Sequence, residues 1–192
     1  MNCLCKQGKV YNKKFDLVYI VSPSLKTAKD DPFECLPPEQ IENELTVDFL
    51  DRFVNEVSES GKRVLLLLDD VVNDIRKNDE ALAKILYNRR HITADGGDEA
   101  NGVSVWLTTQ AYNRISLMIR KVASGLIAFK LKNVKEIQSI FDEYVVGLSK
   151  EQFIDILKYV YQTPFDFLYI NMDEPWDDMY HRNFSQLILG GV

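Results

Sequence analysis

The sequence predicts an α/β domain with a mainly parallel sheet flanked by helices. Three observations carry that expectation. Short apolar runs of strand length alternate with longer runs whose apolar residues recur at helical spacing. Two of the strand runs, 64–68 and 125–129, are apolar on both faces, as strands covered by helices are. Finally, 192 residues with 46% hydrophobic content are enough to bury a core of one-domain size.

The first strand run is Leu17-Val18-Tyr19-Ile20-Val21, stopped by Ser22-Pro23. From Pro38 to Val57, Ile41, Leu45, Phe49, Phe53 and Val57 are spaced by four, which predicts a helix. Val64 to Leu68 forms the second strand and ends in Asp69-Asp70. Asp79 to Tyr87 is a short helix with Leu82, Ile85 and Leu86 on one side. Thr93 to Gly102 is rich in glycine and acid and predicts an exposed loop. Val103 to Thr109 is a β-branched strand run ending at Gln110. Gly125 to Phe129 and Phe165 to Ile170 supply two more strands. Between them lie a helix at Val134–Tyr144 and another running to Tyr161, with Ser149 as its N-cap. No repeat or linker divides the chain, which implies a single domain over residues 1–192.

Composition excludes several classes. No apolar run approaches the roughly 20 residues of a membrane span. The N-terminal stretch Met1 to Lys9 has no apolar segment behind it, so a secretory leader is not expected and an intracellular location is. Three cysteines, Cys3, Cys5 and Cys35, are too few for a disulfide framework, and free thiols are expected. The net charge of −6 argues against a protein coated in nucleic acid. The charge is uneven, however: Ala111 to Lys135 holds Arg114, Arg120, Lys121, Lys130, Lys132 and Lys135 and no acid. That stretch is either a solvated face or a surface for phosphates.

The chemistry concentrates at strand ends. Asp69 and Asp70 fall at the carboxyl end of a buried strand, where open α/β sheets bind ligands. One carboxylate there can hold Mg²⁺ with phosphate and water completing the shell. A second can polarise an attacking water. The next strand ends in Thr108-Thr109-Gln110, and a Gln amide can orient a water or sense a phosphate. Arg89 and Arg90 beside His91, and Arg120 before the fourth strand, are candidates for stabilising phosphate charge. Each feature alone also fits an ordinary polar strand cap or surface arginine.

Taken in order, Phe15 to Ser24, the leucines and acids of Leu65 to Asp70, Arg90-His91, Thr108 to Tyr112, Ile119-Arg120, Leu168 to Asn171 and Arg182 to Phe184 resemble a known family. They are similar to the genome-packaging ATPases of large DNA viruses, the poxvirus-type branch of the FtsK–HerA superfamily of P-loop NTPases. The resemblance implies a RecA-like core that hydrolyses ATP with Mg²⁺ and translocates double-stranded DNA into capsids. It implies Asp69 as the Walker B acid on the metal, Asp70 as the acid that activates water and Gln110 as the sensor glutamine. It offers Arg90 and Arg120 as arginines of the kind that reach into a neighbouring subunit. It further implies a homo-oligomeric ring, backbone contact with DNA that ignores base sequence, capsid-protein partners, and a place in the host cytoplasm, viral factory or virion.

The 192 residues contain no Gly-x-x-x-x-Gly-Lys-Ser/Thr. In the family that Walker A loop would precede Val10, with its strand and most of its helix, and without it the sheet should be incomplete or rearranged. Gly8-Lys9-Val10 lacks the glycine-rich nest and the Mg²⁺-binding hydroxyl. The glycine-rich acidic loop from Asp95 to Asn101 is a further departure from the family pattern. The leading expectation is therefore a truncated P-loop-NTPase-like domain, inactive alone. A non-catalytic interaction module derived from that fold is the alternative. A Mg²⁺-dependent nuclease or phosphatase using Asp69, Asp70 and Asp74 is a third.

Overall fold

A computed structural model describes residues 14–25, 33, 35–93 and 102–187. They group into two compact units that meet between Ile119 and Arg120. The first unit holds strands β1 (Leu17–Val21), β2 (Ile41–Glu42), β3 (Val64–Asp69) and β4 (Val103–Thr108), with helices α1 (Val47–Ser58), α2 (Val72–Lys77) and α3 (Asp79–Asn88). Its sheet is parallel throughout, in the order β2-β1-β3-β4. The predicted α/β class and parallel sheet are what this unit shows.

The apolar runs explain the order. Val64 to Leu68 are buried on both faces, at no more than 2% exposure, so β3 takes an interior place. Tyr19 of β1 packs edge-on against Phe53 of α1 with ring centroids 5.0 Å apart. The phenol donates to Glu56 at 2.8 Å, and burial together with that carboxylate pushes its pKa up to about 12. On the opposite face Ile20 and Leu67 pack with Phe33, flanked by Leu25, Leu36 and Ile41. Phe53 is wholly buried, so truncating it to alanine would cost about 3–5 kcal/mol.

Helix α1 begins at Val47, not at Pro38 as the periodicity predicts. Thr46 accepts the Phe49 amide at 3.1 Å and caps the helix there. Pro38–Gln40 instead form a single 3₁₀ turn leading into β2. The expected loop at 93–102 falls mostly on residues outside the described set. Of its two described ends, Thr93 is buried and Gly102 packs against Arg89 and Arg90. Cys35 is disulfide-bonded, which corrects the expectation of free thiols for that residue.

Helix α4 (Leu117–Arg120) straddles the boundary, and the second unit then holds β5 (Gly125–Phe129), α5 (Val134–Tyr144), α6 (Lys150–Val160), β6 (Phe167–Asn171), β7 (Tyr180–Arg182) and β8 (Gln186–Leu187). Its sheet runs β5-β6-β7-β8 and is antiparallel. This corrects the reading of Gly125–Phe129 as a doubly covered parallel strand. Only Ala128 of β5 is buried, while Ile127 and Phe129 are 46% and 57% exposed. Leu168, Ile170 and Tyr180 join Ala128 in the core with residues of α5 and α6 such as Ile140, Phe153 and Val160. Phe141 and Phe153 hold the two helices together, their centroids 5.8 Å apart. Ser149 caps α6 as expected, in a reciprocal box with Gln152. Among the described residues no helix is long and apolar enough to cross a membrane.

Candidate functional site

Parallel pairing brings three strand ends to one edge. Val21 of β1 is in register with Leu68, and Asp69 of β3 with Thr108 of β4. Ser22, Asp69 and Thr108 therefore stand side by side. Both oxygens of the Asp69 carboxylate are engaged. Oδ2 accepts the Ser22 hydroxyl at 2.9 Å and Oδ1 accepts the Thr108 hydroxyl at 2.6 Å. Ser22 is completely buried and its Oγ lies 2.9 Å from that of Ser24.

Asp70 leaves the strand abruptly. Its φ of 53° lies in the left-handed region, which costs an L-residue about 1 kcal/mol and which Asp tolerates better than most. The backbone amide still donates to the Thr108 carbonyl at 3.3 Å, so the ladder persists through the turn. This conformation sends the exposed carboxylate toward Gln110, whose Nε2 donates to Oδ2 at 3.2 Å. The turn then leads through Val71 into α2.

The structure thus brings together three of the residues singled out from sequence: Asp69, Asp70 and Gln110. It does not bring Arg90 to them. The Arg89 carbonyl accepts the Val103 amide at 2.7 Å, which places Arg89-Arg90 at the amino end of β4. That is about 16 Å along the strand from Thr108. Arg120 belongs to the second unit, where it is mostly buried in an ion pair with Glu143, and its carbonyl accepts the Tyr144 hydroxyl at 2.6 Å. Asp74 is also engaged elsewhere: its carboxylate accepts the Leu45 amide at 3.4 Å and lies 3.5 Å from Lys77. Asp69, Asp70 and Asp74 accordingly form no three-acid cluster.

Sequence reasoning missed Ser22 and Thr108 as site residues. Their signal was position alone: each is a hydroxyl residue at the end of a strand run, beside the run that ends in acids.

The donor set can be tested against Mg²⁺. No group of three or more His, Cys, Asp or Glu is assembled among the described residues, so a protein cage for a structural metal is not what this edge provides. One hard carboxylate surrounded by hydroxyls does suit an ion that keeps waters and binds phosphate. Asp69 would hold such an ion, and the ion would supply charge neutralisation to a bound phosphate.

No family model matches the sequence, and no curated protein matches it. Among solved structures, the chain is similar to B204, the DNA-packaging ATPase from Sulfolobus Turreted Icosahedral Virus, with a TM-score of 0.58. The identity is 16%, over 83% of this chain and 79% of that one. The likeness is one of fold: the α/β architecture described above matches that of a packaging ATPase.

Proposed function

We propose that this chain is an ATPase-type domain of the viral DNA-packaging kind. It would act in Mg²⁺- and ATP-dependent translocation of double-stranded DNA together with a phosphate-binding segment not contained in its 192 residues. The observation that carries the reading is the strand-end arrangement of Asp69, Asp70 and Gln110 on a fold like that of a packaging ATPase. In this reading Asp69 holds the metal. Asp70 draws the proton of an attacking water, and Gln110 fixes the Asp70 carboxylate in place. Arg90 stands at the amino end of β4, away from these three, and Arg120 belongs to the second unit; in this reading both are candidates for contact with a nucleotide held by a neighbouring copy.

The outer edge of β4 supports the same reading. Among the described residues β4 has a neighbour on one side only. Its sequence, Val-Ser-Val-Trp-Leu-Thr, carries none of the charges or prolines that normally protect a sheet edge. Such an edge suits pairing with a further strand.

The absence of a Gly-x-x-x-x-Gly-Lys-Ser/Thr from these residues favours a second reading, a non-catalytic interaction module on the same fold. One experiment separates the two. The strand, glycine loop and helix of a complete packaging ATPase are joined ahead of Val10, and Mg-ATP hydrolysis is assayed with and without double-stranded DNA. DNA-stimulated hydrolysis supports the motor. A folded fusion that binds Mg-ATP and never turns it over supports the module.

A further inference from the structure

We propose that Ser22 and Thr108 are positioning residues for Asp69. Their two hydroxyls clamp its carboxylate from the neighbouring strands so that it meets a divalent cation in one fixed orientation. The proposal rests on the reading of Asp69 as the metal-holding acid.

The geometry is directional. A carboxylate can only accept, so Ser22 gives its single hydroxyl proton to Asp69 Oδ2 at 2.9 Å. The 2.9 Å contact between Ser22 Oγ and Ser24 Oγ must then run from Ser24 to Ser22. The result is a relay, Ser24 to Ser22 to Asp69, entering from β1. Thr108 supplies the matching donor from β4, at 2.6 Å to Oδ1.

Packing alone gives no reason for a serine here. Ser22 is fully buried at the end of an apolar strand, and a buried hydroxyl costs free energy unless bonded. Its backbone is held independently, because its amide donates to the Glu42 carbonyl at 2.9 Å. The side chain is thus free of any structural duty toward the ladder and is spent on the acid. Each carboxylate oxygen has a second lone pair left for a cation or its water. Hydrogen bonds to a ligating carboxylate commonly govern metal affinity by 10–100-fold.

The test is titration of the full 192-residue chain with Mn²⁺, followed by the electron paramagnetic resonance signal of the free ion, with thermal melts in parallel. The variants are Asp69→Asn, Ser22→Ala, Thr108→Val and Thr108→Ser. Asp69→Asn is expected to abolish specific binding. Ser22→Ala and Thr108→Val are each expected to weaken it about tenfold, and Thr108→Ser to bind like the parent. Thr108 is exposed, so its isosteric exchange for valine answers the question even if Ser22→Ala does not fold. If Asp69→Asn loses Mn²⁺ while Thr108→Val, and Ser22→Ala where it folds, bind within twofold of the parent, the clamp is wrong and the metal reading stands. If the parent shows no specific binding, or Asp69→Asn binds as the parent does, the metal reading falls and the clamp with it.

Discussion

Gln110 reaches across two adjacent strand ends to hold Asp70, its Nε2 donating to Oδ2 at 3.2 Å. The bond joins residues forty positions apart in sequence. It exists because β3 and β4 are parallel and in register from Val64↔Val103 to Asp69↔Thr108. A one-residue slip would turn every side chain of β4 to the opposite face and break the contact. The apolar register of the sheet thus fixes the polar geometry at its edge.

The amino end of the same strand is as tightly specified. A Cβ on Gly102 would stand 2.7 Å from the Arg89 carbonyl oxygen and 2.9 Å from the Arg90 Cα, both backbone atoms. That carbonyl also accepts the Val103 amide. Gly102→Ala should therefore force the backbone apart and destabilise the fold by about 1–3 kcal/mol. A urea melt checks this, and an unchanged midpoint would show that the turn yields freely.

Acid sensitivity has an identifiable source at the start of β1. The Arg63 guanidinium donates to both oxygens of Asp16, at 3.0 and 2.9 Å, and its backbone amide adds a third bond at 3.0 Å. These bonds, the side-chain ones foremost, lower the Asp16 pKa from 3.8 to about 2. Because the folded value is the lower one, the contribution is present above about pH 3.8 and disappears as pH falls toward 2. Asp16→Asn should be less stable than the parent at neutral pH and should converge with it below about pH 2. Chemical denaturation between pH 7 and pH 2 measures both limbs, and parallel curves would remove Asp16 from the account.

Much of the first unit was legible from the sequence, because its signals are local. An unbroken apolar run ending in two acids can hardly be other than a buried strand with a polar tip. The misplaced start of α1 has a local cause too: periodicity by fours continued back to Ile41, but Thr46 offered a better cap. The second unit was less legible. Gly125–Phe129 is as apolar as a buried parallel strand, yet it pairs antiparallel with β6 and leaves Ile127 and Phe129 exposed. Composition cannot distinguish those outcomes, since pairing is decided by partners distant in sequence. At the site, the acids and Gln110 announced themselves by type. Ser22 and Thr108 did not, because a hydroxyl at a strand end has many ordinary uses.

The basic stretch makes a salt-dependent prediction. Lys121, Lys130, Lys132 and Lys135 are exposed, and none forms an ion pair among the described residues. If the chain engages DNA through phosphates, replacing Lys130 and Lys132 with alanine should weaken binding equally for unrelated duplex sequences. The slope of log affinity against log salt should fall by about one for each contacting lysine. Fluorescence anisotropy at several salt concentrations reads both quantities. Binding that depends on base sequence, or that ignores salt, would exclude a backbone contact by this stretch.

The role of Asp70 is best isolated in the fusion that carries a phosphate-binding segment. The chain alone is expected to bind ATP weakly, because backbone amides and a lysine of the phosphate loop supply most phosphate recognition and no such loop is among its residues. In the proposed reading, once the phosphate is held, the carboxylate turned out of the strand at φ 53° and steadied by Gln110 is the group that takes the proton of the attacking water. A group that acts mainly in the transition state changes turnover more than affinity. Asp70→Asn in the fusion should therefore lower kcat by about 10²–10⁴-fold, the span of general-base catalysis, and leave the KM for Mg-ATP within a few-fold. Gln110→Ala should lower kcat by less, because it orients the base without replacing it. Steady-state kinetics on the three proteins decide the matter. Equal turnover in the parent fusion and Asp70→Asn would show that Asp70 is not the base, and a raised KM with unchanged kcat would assign it to nucleotide binding instead.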